Sequence, residues 1–211
     1  MRPPSLLGIL VLAALLATLI AWAAAPAGAW WLHRSGRFDD EIAWLEGLRP
    51  VLPFGGALDP VIDRRYVERV RHELNAGRVD RAVQAMRVAR RRARESGSAR
   101  DSLLVQAGLE TYTRATDRLR DHGRLSLAAD WCDTLFVFAI DDRDPDIRMR
   151  AVAAFVEGLD LRVQDRKPCA ALSRWQWAQK GMGGEVPYAS PMIGQELEQR
   201  CAFARREGWN E

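Results

Sequence analysis

Twenty consecutive uncharged residues, Leu6 to Ala25 (LLGILVLAALLATLIAWAAA), restrict this chain more than any other feature. At about 1.5 Å of rise per residue a helix of that length reaches about 30 Å, the thickness of a bilayer's hydrocarbon. The run predicts a helix that crosses a membrane or is threaded through one during export. Arg2 and the terminal amine precede it, an arrangement shared by signal peptides and signal anchors, and Ala27-Gly28-Ala29 offers a small-residue cleavage site before Trp30. The apolar region of a signal peptide is about 7 to 15 residues, shorter than this run, so the expectation is a retained anchor. Trp22, Trp30 and Trp31 suit the headgroup layer, where an indole is half wet. Flanking charge, Arg2 against Arg34 and Arg37, does not decide the orientation. The short N-terminal tail favours a single-pass protein of the bacterial inner membrane with a periplasmic C-terminal domain, and a cytoplasm-facing domain is the alternative.

About 180 of the 211 residues follow the run, enough for one domain with its own core. Their charge is heavy in both signs, 31 basic against 28 acidic residues, so the net +3 specifies no partner. Its distribution says more. Asp63 to Arg94 holds eleven arginines against four acids, whereas Asp101 to Asp165 holds eight against thirteen. Such segments either neutralise each other across packed helices or leave a basic patch for an acidic partner or lipid headgroups. Cys132, Cys169 and Cys201 show no metal or haem spacing. In an exported domain they predict one disulfide, Cys169 to Cys201, which brackets the C-terminal segment, with Cys132 in a core. Three free thiols in a reducing compartment are the alternative.

Periodicity past the run is helical throughout. Pro26 and Gly28 are expected to interrupt the first helix. Phe38, Ile42, Leu45 and Leu48 share a face of a helix over 37–48, and the prolines and glycines of Arg49 to Pro60 mark a loop. Further helices are expected over 60–76, with Asp59 as its cap, and over 79–94, with Glu95 to Ser98 as a loop. Others follow over 101–121, 125–140, 145–163 (with Asp144 as cap), 169–179 and 192–206.

Two of the breaks are alike. Gly77-Arg-Val-Asp-Arg-Ala82 and Gly123-Arg-Leu-Ser-Leu-Ala128 share glycine, arginine, an aliphatic residue and alanine at equal offsets, and Tyr66 and Tyr112 each stand eleven residues before the glycine. Gly36-Arg-Phe38 is a poorer third copy. In these residues the chain resembles the tetratricopeptide (TPR) helical hairpin, in which glycine permits the turn and alanine a close helix approach. The spacing of 46 residues exceeds the roughly 34 of that repeat. The resemblance implies an all-α fold, one N-terminal transmembrane helix followed by a TPR-like stack of antiparallel hairpins. It also implies a concave surface for a partner's peptide segment. Carried over by position, that surface would include Arg64, Val67, Arg71, Leu74 and Asn75, then Glu110, Thr113, Asp117, Arg120 and Asp121. A guanidinium such as Arg64 or Arg71 could grip a carboxylate there.

No reactive motif stands out. His33, His72 and His122 have no second ligand at helical spacing, and Asp141, Asp142, Asp144 and Asp146 lack the glycine and distal glutamate of a calcium loop. Arg87, Arg90, Arg91 and Arg94 fall on one helical face, without interleaved aromatics or a nucleic-acid motif in the sequence. Trp175 and Trp177, two apart on one helix, face different ways, one toward a core and one toward an interface. The expected organisation is an anchor (1–29), a juxtamembrane helix and loop (30–60), helical hairpins (61–165) and a C-terminal helical segment (166–211). The expected role is a scaffold or accessory subunit that binds other proteins of a membrane or envelope complex and the bilayer through residues 6–25. No enzyme activity, cofactor, metal, nucleic acid or small-molecule substrate is expected. Alternatives are a cytoplasm-facing adaptor using the arginine face, and an envelope hydrolase with a single catalytic glutamate, Glu110 or Glu157.

Overall fold

Residues 6–52, 54–97 and 102–209 are described by a computed structural model. Arg2 of the N-terminal flank, Ser98 of an expected loop and Asp101 at the start of an expected helix lie outside them. Among the described residues the regular elements are helices: α1 (Leu6–Arg34), α2 (Phe38–Leu48), α3 (Asp59–Asn75), α4 (Val79–Ser96), α5 (Ser102–Asp121), α6 (Leu125–Ala139), α7 (Pro145–Gln164), α8 (Pro168–Gly181) and α9 (Ile193–Arg206), with a 3-10 turn at Gly55–Leu58.

One backbone turn recurs through this series. Gly36, Gly77 and Gly123 have φ of 70°, 70° and 68°, the left-handed region that glycine enters without a Cβ clash. The arginine after each glycine donates its N–H to the carbonyl five residues back: Arg37 to Leu32, Arg78 to Glu73 and Arg124 to Leu119. The glycine donates three back, to His33, Leu74 and Arg120. This double closure satisfies carbonyls that a helix end otherwise leaves open. A fourth copy has no glycine: Arg166 takes φ 59°, and Lys167 N–H bonds the carbonyl of Arg162. Thus α1/α2, α3/α4, α5/α6 and α7/α8 are hairpins turned in the same way. The helices α3 and α5 also meet, where Arg114 donates to the Leu74 carbonyl at 3.0 Å.

The core is continuous across the boundaries expected at residues 29 and 60. One buried cluster runs from Ala29 of α1 and Ile42 of α2 through Val70, Met86 and Tyr112 to Ala151 of α7, with Trp22 packed against it. A second joins Phe136 and Phe155 to Trp175 of α8 and Leu197 of α9. The helix α1 passes through Pro26 without interruption, contrary to expectation. Proline there removes one hydrogen bond, but the turns beyond it are held by packing. A Cβ on Gly28 would come within 2.8 Å of the Trp44 indole nitrogen, so Gly28 serves close approach rather than a break.

Asp59 is not a cap. It lies inside α3, its carboxylate 2.8 Å from Arg49 and bonded to Arg92 of α4. Asp144 does cap α7, accepting from the Asp146 N–H at 2.9 Å. Cys169 and Cys201 are joined by a disulfide that fastens α8 to α9. Cys132 is buried between α6 and α7, and burial pushes its thiol up to about 12.

Candidate interaction surface

The residues carried over from the repeat resemblance divide into two sets. Val67 and Leu74 belong to the core, because they continue the apolar face of Val70 on α3. Asn75, Glu110, Thr113 and Asp121 are exposed, and Arg71 is half-buried. Arg64 lies 3.7 Å from Glu68 one turn on, and Arg120 bonds both Asp117 (2.6 Å) and Glu157 (2.5 Å). Positive charge on this side is therefore largely spoken for. Glu157 is tied to a guanidinium and Glu110 is exposed, so neither nominated glutamate sits buried in a cleft.

Trp175 is a core residue, 3% exposed, and its indole abuts Gly194 of α9. Of the two tryptophans, Trp177 is the one left exposed, beneath the Arg174 guanidinium. Trp30 and Trp31 are exposed on α1, whereas Trp22 is half-buried against the core.

Two other arginine sites turn toward the interior. Glu41 of α2, fully buried, lies 2.6 Å from Arg65 of α3 and 3.2 Å from His33 of α1, so one carboxylate ties three helices together. Arg162 of α7, 6% exposed, reaches Asp133 at 2.8 Å and Asp130 at 3.0 Å on α6. Burial pushes the Asp133 carboxyl up, although Arg162 and Arg174 oppose the shift.

The arginines of α4 are arranged differently. Arg92 turns inward to Asp59, but Arg87, Arg90, Arg91 and Arg94 line an open trough with Tyr112 of α5 and Thr134 of α6. Among the described residues none of these four has a carboxylate within 4.0 Å, although Glu95 stands on the trough's edge. Two of the four have aromatic neighbours. The Arg87 guanidinium lies 5.5 Å from the Trp131 ring and that of Arg90 4.8 Å from Phe138, while Tyr112 stacks on Trp131 at 5.4 Å. A ring face attracts a cation without neutralising it. Burial pushes the Tyr112 hydroxyl above the ordinary phenol range, against the pull of Arg90, Arg87 and Arg94. The trough holds about 360 Å³ and shares Arg87 with an adjoining cleft of about 400 Å³ that runs toward Arg118 and His122. The trough is thus an open, predominantly basic recess with Tyr112 in its lining.

No family model, curated protein or solved structure gives a match.

Helical spacing on α4 was enough to group the four arginines. What could not be read from that spacing is that α6, more than forty residues later, supplies aromatic rings to Arg87 and Arg90. Trp131 and Phe138 are seven residues apart, two turns on one face, which is the only local signal.

Proposed function

We propose that this protein is a membrane-anchored helical scaffold or accessory subunit whose α4–α6 trough holds an acidic segment of a partner in a bacterial membrane complex. The observation that carries the reading is the set of four guanidiniums without carboxylate partners among the described residues, two of them, Arg87 and Arg90, set over aromatic rings, beside other arginines that are paired. Guanidinium meets carboxylate in a planar, bidentate geometry, and the rings hold it in place before a partner arrives. The TPR-like reading fits this role, since hairpins of one kind follow each other along the chain.

Retention of α1 is supported by its packing. Ala29 is buried in the domain core, Trp22 lies against that core and His33 reaches Glu41, so cleavage after Ala29 would strip part of the core away. The run is long and apolar enough to cross a membrane. The Cys169–Cys201 bond favours an oxidising compartment and hence a periplasmic domain.

Co-purification of the full chain in mild detergent tests the reading. Wild type should retain stoichiometric partners and an Arg90→Glu/Arg91→Glu variant should lose them. A monodisperse wild-type monomer without partners, or a variant that keeps them, overturns it.

A further inference from the structure

The loop between α2 and α3 carries no charged residue from Pro50 to Leu58, although 28% of the chain is charged. Two of its apolar side chains are displayed to the outside: Val51 is 71% exposed and Phe54 90%. Phe54 is also in the left-handed region, at φ 61°, which disfavours a residue with a Cβ. A bare phenyl ring on a strained backbone is an odd arrangement for a surface that meets only water.

The loop is nonetheless built, not slack. Leu52 and Leu58 anchor it in the core, and Arg49 clamps its two ends by contacting Asp59 at 2.8 Å. A Cβ on Gly55 would stand 1.8 Å from the Arg49 carbonyl oxygen, so only glycine fits there. Burial raises the Asp59 carboxyl, but the Arg49 hydrogen bond and the Arg92 and Arg49 charges outweigh it and hold Asp59 below its ordinary range. The clamp is therefore charged at neutral pH.

The loop's height relative to α1 follows from helix geometry. The turn at Gly36 reverses the chain, and the eleven residues of α2 carry it back by about 16 Å at 1.5 Å per residue. That return equals about eleven residues of α1 and ends near the level of Trp22 to Pro26. The side chains agree: Leu58 and Val61 line the same cavity as Trp22 and Pro26. Trp22 lies within the apolar run that ends at Ala25.

We propose that the α2–α3 loop is a second membrane contact, with Phe54 and Val51 inserted at the boundary between headgroups and acyl chains. An aromatic ring is favoured at that boundary, and a displayed apolar wedge is what an interfacial anchor requires. The loop and α1 then fix the domain at two points, which sets its tilt. It also places the C-terminal end of α4, where Arg92 meets Asp59, close to the bilayer surface. The inference rests on α1 spanning the bilayer, and its test separates the two.

The full-length protein offers no accessible thiol among the described residues, because Cys132 is buried and the other two cysteines are bonded. An environment-sensitive fluorophore can therefore be placed on Phe54→Cys, Val51→Cys, Leu19→Cys and Asn75→Cys in turn. Each protein is reconstituted into phosphatidylcholine–phosphatidylglycerol vesicles and exposed to lipid-borne nitroxides and to aqueous iodide. Leu19 reports α1, and Asn75, at the far end of α3, reports water. The expected result is several-fold stronger nitroxide quenching at 54 and 51 than at 75, with protection from iodide. Nitroxide quenching at 19 but free iodide access at 54 and 51 overturns this inference and leaves α1 in place. Shielding of 54 and 51 from both quenchers also overturns it, assigning the loop to a contact between copies. No nitroxide quenching at 19 overturns both readings. Two loop positions guard against one substitution that fails to fold.

Discussion

Arg90 sits on the α3/α4 hairpin and Arg162 on the α7/α8 hairpin, and their surroundings are opposite. Arg162 is buried and bonded to two aspartates of α6, whereas Arg90 lies over the Phe138 ring with no carboxylate beside it among the described residues. A buried charge without a partner carries a large desolvation cost, so the sealed arginine must be matched inside the chain. An arginine at the rim keeps its water and can wait for an external anion. The sealed charges therefore bear on folding and the displayed ones stay open to solvent, although sequence composition treats them alike.

The sharpest way to break this comparison is Arg162→Met. It leaves Asp133 buried beside Arg174 alone and should cost about 3–5 kcal/mol, read from the urea midpoint in detergent. A loss below about 1 kcal/mol would mean that the cluster is solvated like the trough. Next comes the Asp59 clamp between Arg49 and Arg92. Asp59→Asn should cost about 1–2 kcal/mol. Because the folded state holds this carboxyl low, its contribution is present above the unfolded value of about 3.9 and is lost as pH falls through the folded value. Acid below about pH 4 should thus weaken wild type more than Asp59→Asn, and equal acid sensitivity would remove the clamp.

A smaller effect is expected in the trough itself. Arg90→Gln with Arg91→Gln should change stability by no more than about 1 kcal/mol, the worth of an exposed cation–ring contact, while partner retention falls. A large stability loss would make the trough a folding element. The smallest concerns Arg166. Replacing it by glycine relieves about 1 kcal/mol of left-handed backbone strain but removes its contact with Trp209, 5.9 Å away, worth about 0.5–1 kcal/mol. The net change should lie within about 0.5 kcal/mol, whereas Gly123→Arg should cost about 1–2 kcal/mol.

The hairpin turns show what kind of feature a sequence announces. Gly77 and Gly123 were visible because glycine is the residue that enters the left-handed region freely, and Gly36 follows the same rule. The fourth turn was not visible. Its left-handed residue is Arg166, which local chemistry disfavours, and it is held by α7 and α8 on either side together with Trp209. Pro26 is the converse case, a residue with a strong local meaning that packing against Trp44 and the core overrides. The candidate surface divides in the same way, since spacing on α4 grouped the arginines, whereas the repeat resemblance assigned Val67 and Leu74 to a surface they do not reach.

By itself the sequence determined the helical class, the apolar run, most helix limits and the glycine turns. These depend on periods of 3.6 residues and on the backbone limits of single residues, which act locally. Tertiary structure alone decided which arginines are neutralised and which remain open, and that α1 extends unbroken into the domain core. It also decided that the α2–α3 loop stands level with Trp22. Whether a charge finds a carboxylate or a ring depends on residues tens of positions away, and only the folded chain brings them together.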